Sequence, residues 1–205
     1  MYNFTSRILL VVLSCGLFAC SAGGKRQASL DQADRVVPVE VSARFETISR
    51  VIEKGETELA QRQLKVFVVE YPQYPGAWLN LALLTAADGD TPAAIQTLES
   101  GIQNHPPYAP GLTQLGVWYR EAGRFEDAVQ AYQAALDADP DYGLAAYNLG
   151  VYYDLYQQQP ERALGFYERY AALQLAPDKQ VQRWIADLQR RVVAARRARP
   201  KGEFE

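Results

Sequence analysis

The chain has 205 residues, of which 48% are hydrophobic and 22% charged, with a formal net charge of -3. That is an ordinary soluble composition, long enough for one domain or one repeat array. The two cysteines, Cys15 and Cys20, and the single histidine, His105, leave the body without material for a disulfide framework, a zinc site or a serine–histidine dyad. Charge is unevenly spread: residues 41–177 carry 17 acids against 9 bases, and residues 178–205 carry 4 acids against 8 bases. The pattern is an acidic body with a basic tail.

At the N-terminus, Arg7 precedes an apolar run from Ile8 to Phe18, interrupted only by Ser14, Cys15 and Gly16. A stable membrane-spanning helix takes about 20 apolar residues, so this run reads as the core of a secretion signal. It ends in Leu17-Phe18-Ala19-Cys20. These four residues resemble the bacterial lipobox, in which a bulky apolar residue and a small residue precede a cysteine that accepts a diacylglyceryl group. The resemblance implies a lipoprotein signal peptide over 1–19, cleavage before Cys20, and a covalent lipid on Cys20. Val12-Leu13-Ser14-Cys15 is a poorer second lipobox, with only Ile8 to Leu13 ahead of it. Two or three acyl chains anchor a protein stably where one does not. Ser21, not Asp, follows the cysteine, and in lipoproteins of this kind that implies the outer membrane, on its periplasmic face. Residues 20–40 then read as a lipidated flexible tether, polar and without an apolar period.

Beyond the tether, three kinds of residue recur at one spacing. Ala60, Ala94 and Ala128 are 34 residues apart, as are Pro72, Pro106 and Pro140, while Leu64, Leu98 and Tyr132 keep the same register. A 34-residue period that locks small, bulky and proline positions together marks a helix-turn-helix repeat array. The expected fold is therefore all-α, a solenoid in which each unit packs on its neighbours. In the clearest unit, 109–142, Leu112, Leu115, Gly116 and Tyr119 share one face of a first helix. Ala128, Tyr132 and Ala135 share a face of a second helix, and Pro140 ends it. Ala122-Gly123-Arg124 supplies the turn between them. These residues resemble the tetratricopeptide repeat at every signature position. Gly116 and Ala128 are small because the two helices cross there.

The other units keep the pattern less fully. Unit 75–108 has Trp78, Leu81, Ala82, Ala94, Leu98, Gly101 and Pro106, but Thr85 where an aromatic is expected. Unit 143–177 has Leu149, Gly150, Tyr153, Ala163 and Tyr167, and its turn Gln157-Gln158-Gln159-Pro160 is one residue longer. Tyr170 replaces a small residue there, which predicts looser packing against the next helix. Unit 41–74 keeps Ala60, Leu64 and Pro72 but has Thr47 and Ile48 in place of a Leu-Gly pair, as a degenerate terminal repeat would. Val181, Trp184, Ile185, Leu188 and Val192 then predict an amphipathic C-terminal capping helix over 178–199, its arginines in water, before a tail at 200–205.

No catalytic constellation is present. Asp137, Asp139 and Asp141 suggest a calcium loop, but an EF-hand counted from Asp137 needs glycine and glutamate where Tyr142 and Asn148 stand. The expectation is a binding protein and not an enzyme, with no metal and no cofactor beyond the covalent lipid on Cys20. Its functional surface should be the concave face lined by first helices. The register places Leu79, Leu83, Thr113, Val117, Arg120, Tyr147, Val151 and Asp154 there. Apart from Arg120, this set lacks the basic residues that a chaperone-type carboxylate clamp needs at several of these places. It suits an amphipathic helix or extended segment of a protein partner. The arginine-rich end, Arg190, Arg191, Arg196, Arg197, Arg199 and Lys201, reads as a solvated face, and nucleic acid is not expected.

The overall build resembles tetratricopeptide lipoproteins such as the type IV pilus pilotins. That resemblance implies a lipid-anchored periplasmic protein with envelope proteins as partners, an assembly or scaffolding factor for a pilus or secretin. The alternative is a scaffold regulating cell-wall enzymes or a Ton- or Tol-type energised system. Neither the partner nor the oligomeric state is fixed by these residues.

Overall fold

The computed structural model describes residues 37–103, 105 and 107–198. The signal segment, Cys20, most of the expected tether, Pro106 and the 200–205 tail lie outside the described residues. Nine α-helices and one π-helical turn, with no strand, make up the described residues. They are α1 (Val39–Glu53), α2 (Thr57–Glu70), α3 (Pro75–Ala87), α4 (Thr91–Gln103), α5 (Ala109–Glu121), α6 (Phe125–Ala138), α7 (Gly143–Val151), the π-helical turn Tyr152–Tyr156, α8 (Pro160–Ala172) and α9 (Lys179–Ala198). The first helix begins at Val39, inside the segment expected to be tether.

Helices pair in order, α1 with α2, α3 with α4, α5 with α6 and α7 with α8, and each second helix packs on the next first helix. First helices also meet one another, α3 with α5 and α5 with α7, whereas α4 and α6 stand further apart. The first helices therefore form the inner layer of an all-α solenoid.

Short turns fold each pair back on itself. Gly55, Gly89 and Gly123 all adopt positive φ, 76°, 94° and 76°. Glycine takes this conformation without the steric penalty of a side chain. In each turn the residue after the glycine donates its N–H to a carbonyl five residues back: Glu56 to Val51, Asp90 to Thr85 and Arg124 to Tyr119. The fourth turn must hold one more residue, and the π-helical turn absorbs it. Gln159 N–H reaches six residues back to the Tyr153 carbonyl at 2.8 Å, and the left-handed residue becomes Gln158, at φ 50°.

The crossing of each of the three later pairs is set by residues matched in size. A Cβ on Gly116 would lie 2.4 Å from the Tyr132 ring, and one on Gly150 would lie 2.7 Å from the Tyr167 ring. Where the second helix offers Leu98 at that position, the first offers Ala82. A second crossing point is built in the opposite sense: a Cβ on Gly101 would lie 2.3 Å from Trp78. The same register pairs Leu112 with Ala135 and Ala146 with Tyr170. Tyr170 is thus matched by a small partner, and it packs 5.2 Å from the Tyr147 ring. The looser packing expected against the next helix is not found, since α8 and α9 meet along an extensive interface, the most extensive of those joining one unit to the next helix.

The core runs the length of the array in two clusters, one over α1–α3 and one over α3–α9, with Trp78 packed against both. The Trp78 Nε1 also donates to the Pro72 carbonyl at 2.9 Å. In α9, Val181, Leu188 and Val192 are buried, and the Asp178 carboxylate caps the helix start by accepting from the Gln180 and Val181 N–H groups at 2.9 and 3.1 Å.

Gly116→Ala is expected to destabilise the protein by about 1–3 kcal/mol, the usual range for overpacking a core. Gly165→Ala is the control. Gly165 is helical, and a Cβ there meets nothing within 4 Å, so about 0.5–1 kcal/mol of stabilisation should follow. Gln158→Gly should also stabilise, by relieving its left-handed conformation. Urea midpoints for the three variants check these signs.

Candidate functional site: the inner face

The eight residues assigned to the concave face fall into three sets. Leu79, Thr113 and Tyr147 are 34 residues apart and share one repeat position. Leu79 is 4% exposed and Thr113 5% exposed. Tyr147 is covered by α9, with the Trp184 ring 6.2 Å away. Burial pushes the Tyr147 hydroxyl above its usual range, with Tyr170 and Asp178 adding to the shift. Leu79 and Thr113 are closed off from any groove, and Tyr147 is half-buried beside Trp184. First helices lie close enough together that this position faces the neighbouring inner helix, α9 serving as that neighbour for α7.

Leu83, Val117 and Val151 form the second set, again 34 residues apart. Each is half-buried, its inner side packed on the core and its outer side facing water. They form an apolar strip across α3, α5 and the C-terminal end of α7.

Arg120 and Asp154 share a third position, one turn further along. Asp154 is engaged: Arg191 of α9 donates to its Oδ1 at 2.9 Å, and the carboxylate side chain is only 15% exposed. Arg191 stays exposed, as expected of the arginines of α9, while its guanidinium pairs with Asp154. Arg120 extends over α5 towards the next unit, where its Nη1 donates to the Tyr156 hydroxyl at 3.3 Å.

Several contributors were absent from the sequence reading. Tyr156 ends the π-helical turn, so its place depends on where the extra residue of the fourth unit was absorbed. The rings of Tyr156 and Phe125 lie 4.9 Å apart, which ties the turn to the start of α6. The Tyr132 hydroxyl lies beside the Arg120 guanidinium; burial pushes that hydroxyl up and Arg120 partly offsets the shift. Tyr74, Tyr108 and Tyr142 precede α3, α5 and α7 at a 34-residue spacing. Burial, helped by Tyr108 and Asp139, pushes Tyr142 up to about 12. This is a fourth set in the same period, and it carries no helix-start signal, because a tyrosine before a helix is not a capping residue.

Among the described residues no group of three His, Cys, Asp or Glu side chains is placed to hold a metal. No described helix is long and apolar enough to cross a membrane. The acidic trio Asp137, Asp139 and Asp141 is exposed, and the Asp139 Oδ1 accepts from the Asp141 N–H at 3.0 Å, which closes a turn.

Trp184→Ala is expected to cost about 3 kcal/mol and to raise amide exchange in α7 and α8 while leaving α1 unchanged. Stability in a solenoid passes between neighbours. Native-state hydrogen exchange reads the gradient, and equal loss of protection in α1 would contradict it.

Comparison with known proteins agrees with this geometry. A tetratricopeptide repeat profile matches residues 50–109, and a TPR repeat profile matches residues 116–155. A search of curated proteins gives no match. Among solved structures, PilF of Pseudomonas aeruginosa is 23% identical, with a TM-score of 0.63 over 77% of this chain and 72% of that one. MamA from Desulfovibrio magneticus RS-1 is 18% identical, with a TM-score of 0.59 over 78% and 89%. A tetratricopeptide repeat protein from Parabacteroides merdae is 19% identical, with a TM-score of 0.60 over 75% and 60%. These likenesses establish the fold. The chain carries tetratricopeptide repeats, stacked as a solenoid and closed by α9.

Proposed function

We propose that this protein is a lipid-anchored adaptor of a bacterial envelope. Cys20 holds it at the periplasmic face of the outer membrane, and its inner face receives a segment of a protein partner. The observation that carries the binding half is the apolar strip Leu83, Val117 and Val151, half-buried on helices fixed by core packing. Repeat arrays of this kind generally bind proteins and do not catalyse reactions. A rigid, preformed strip loses little entropy when a ligand docks. The anchoring half rests on Arg7, the apolar run and Leu17-Phe18-Ala19-Cys20.

Within that reading, the role is assembly of an envelope machine such as a pilus or secretin. The fold shared with PilF supports this assignment, as does the combination of lipobox and repeats. Anchoring serves such a role by confining the groove to the surface where its partner is inserted.

A photo-crosslinking amino acid at Val117, in the full chain in living cells, should capture one dominant envelope protein. Val151→Asp should abolish the capture. A pilus or secretin component would support the assembly role, whereas a cell-wall enzyme or a Ton- or Tol-type protein would replace it with the scaffold role. No adduct would remove the inner face as the recognition surface. Separately, Cys20→Ser should abolish labelling by radioactive palmitate and leave uncleaved precursor. Labelling that persists in this variant and is lost in Cys15→Ser would move the anchor to Cys15.

A further inference from the structure

Arg120 lies one turn beyond Gly116, against the Tyr132 ring that fills the glycine's space. Its two polar neighbours are phenols, Tyr156 and Tyr132. Its Nε is buried and makes no hydrogen bond, and neither does the Tyr132 Oη, on a side chain that is 0% exposed. Among the described residues no carboxylate pairs with it. The acid at the equivalent position of the next unit, Asp154, is already taken by Arg191.

The result is a guanidinium partly removed from water, braced by the Tyr156 hydroxyl and lacking an ion-pair partner among the described residues. Such a group is stabilised strongly by an incoming anion. Its planar fork fits a carboxylate better than it fits any neutral acceptor. The flanks are apolar: Val117 lies on the same face of α5, and Leu155, 67% exposed, sits beside Tyr156 on the π-helical turn. The surrounding body is acidic, with 17 acids against 9 bases over 41–177. A run of acids would be repelled there, while a single acid placed at Arg120 would not.

We propose that Arg120, steadied by Tyr156, is the subsite for one aspartate or glutamate side chain in an otherwise apolar partner segment. This rests on the inner-face reading above. The strip supplies most of the contact area, and Arg120 sets which register of the segment docks.

The test uses the full chain and three amphipathic helical peptides, leucine and alanine on one side, differing only at one central position: Glu, Gln or Lys. The Glu peptide should bind at least about tenfold more tightly than the Gln peptide, as a charge-assisted hydrogen bond implies. Arg120→Gln should erase that ratio by weakening the Glu peptide and not the Gln peptide, and Arg120→Glu should transfer the preference to Lys. Tyr156→Phe keeps the ring packing and should reduce the Glu preference about threefold, the effect of one neutral hydrogen bond. Val117→Asp should abolish binding of all three. Unchanged circular dichroism melts of the Arg120 variants exclude misfolding. A Glu preference that survives Arg120→Gln, or binding that is sensitive to Val117→Asp but has no Glu preference, overturns the subsite and leaves the groove standing. No binding that responds to Val117→Asp overturns the groove and the subsite with it.

Discussion

The structure depends on how closely two helices of a unit approach where they cross. Gly116 under Tyr132 and Gly150 under Tyr167 bring the backbones together at one point, and Trp78 over Gly101 does so at the other. Size is exchanged between partners and not fixed at either one. A large ring on the second helix takes glycine opposite, and Leu98 takes Ala82. Interiors packed to near-crystalline density tolerate no other bookkeeping. The match holds in the three later units, whereas α1 and α2, with Ile48 opposite Leu64, meet less closely. Similar crossings stacked in series bring the later first helices into one inner layer.

That inner layer explains which surface residues were legible and which were not. The 34-residue period locates helices, turns and small positions, since all of these are local to a unit. It cannot tell an open position from a closed one on the same helix face, because closure depends on the spacing between units. Leu79 and Thr113 share a face with Leu83, Val117 and Val151 yet are buried, while Tyr147, half-buried like the second set, lies under Trp184. Contacts such as Arg191 to Asp154 join residues 37 apart on separate helices, outside any periodic pattern. The extra residue of the fourth turn was visible as a third glutamine. Its destination was not, since insertion into the turn and insertion into the helix read alike in sequence. The structure puts it in the helix, as a π-helical turn, and this sets Tyr156 within reach of Arg120.

The capping helix does more than close the core. At 20 residues it outlasts the 13-residue α8 against which it packs. Its Trp184 covers Tyr147, and its Arg191 neutralises Asp154. In a solenoid the last unit has no successor, so its inner face would otherwise expose an aromatic and an acid together. The cap therefore shortens the usable surface from the C-terminal side. It also removes the negative charge nearest the open strip.

Strength and selectivity then come from different residues. An apolar strip gains free energy in proportion to the area it buries but discriminates poorly between registers, since a segment shifted by one helical turn presents a similar stripe. A fixed cation in a partly dry setting does the opposite. It contributes little unless an acid arrives at one spot, and it penalises any segment that buries it without one. Leu83, Val117 and Val151 supply the first property, and Arg120, whose polar neighbours are phenols, supplies the second. Had Arg191 not claimed Asp154, the strip would carry two opposite charges one unit apart and would favour a dipolar segment. With Asp154 neutralised, the inner face offers one cation on an apolar path, inside a body whose net charge turns acidic chains away.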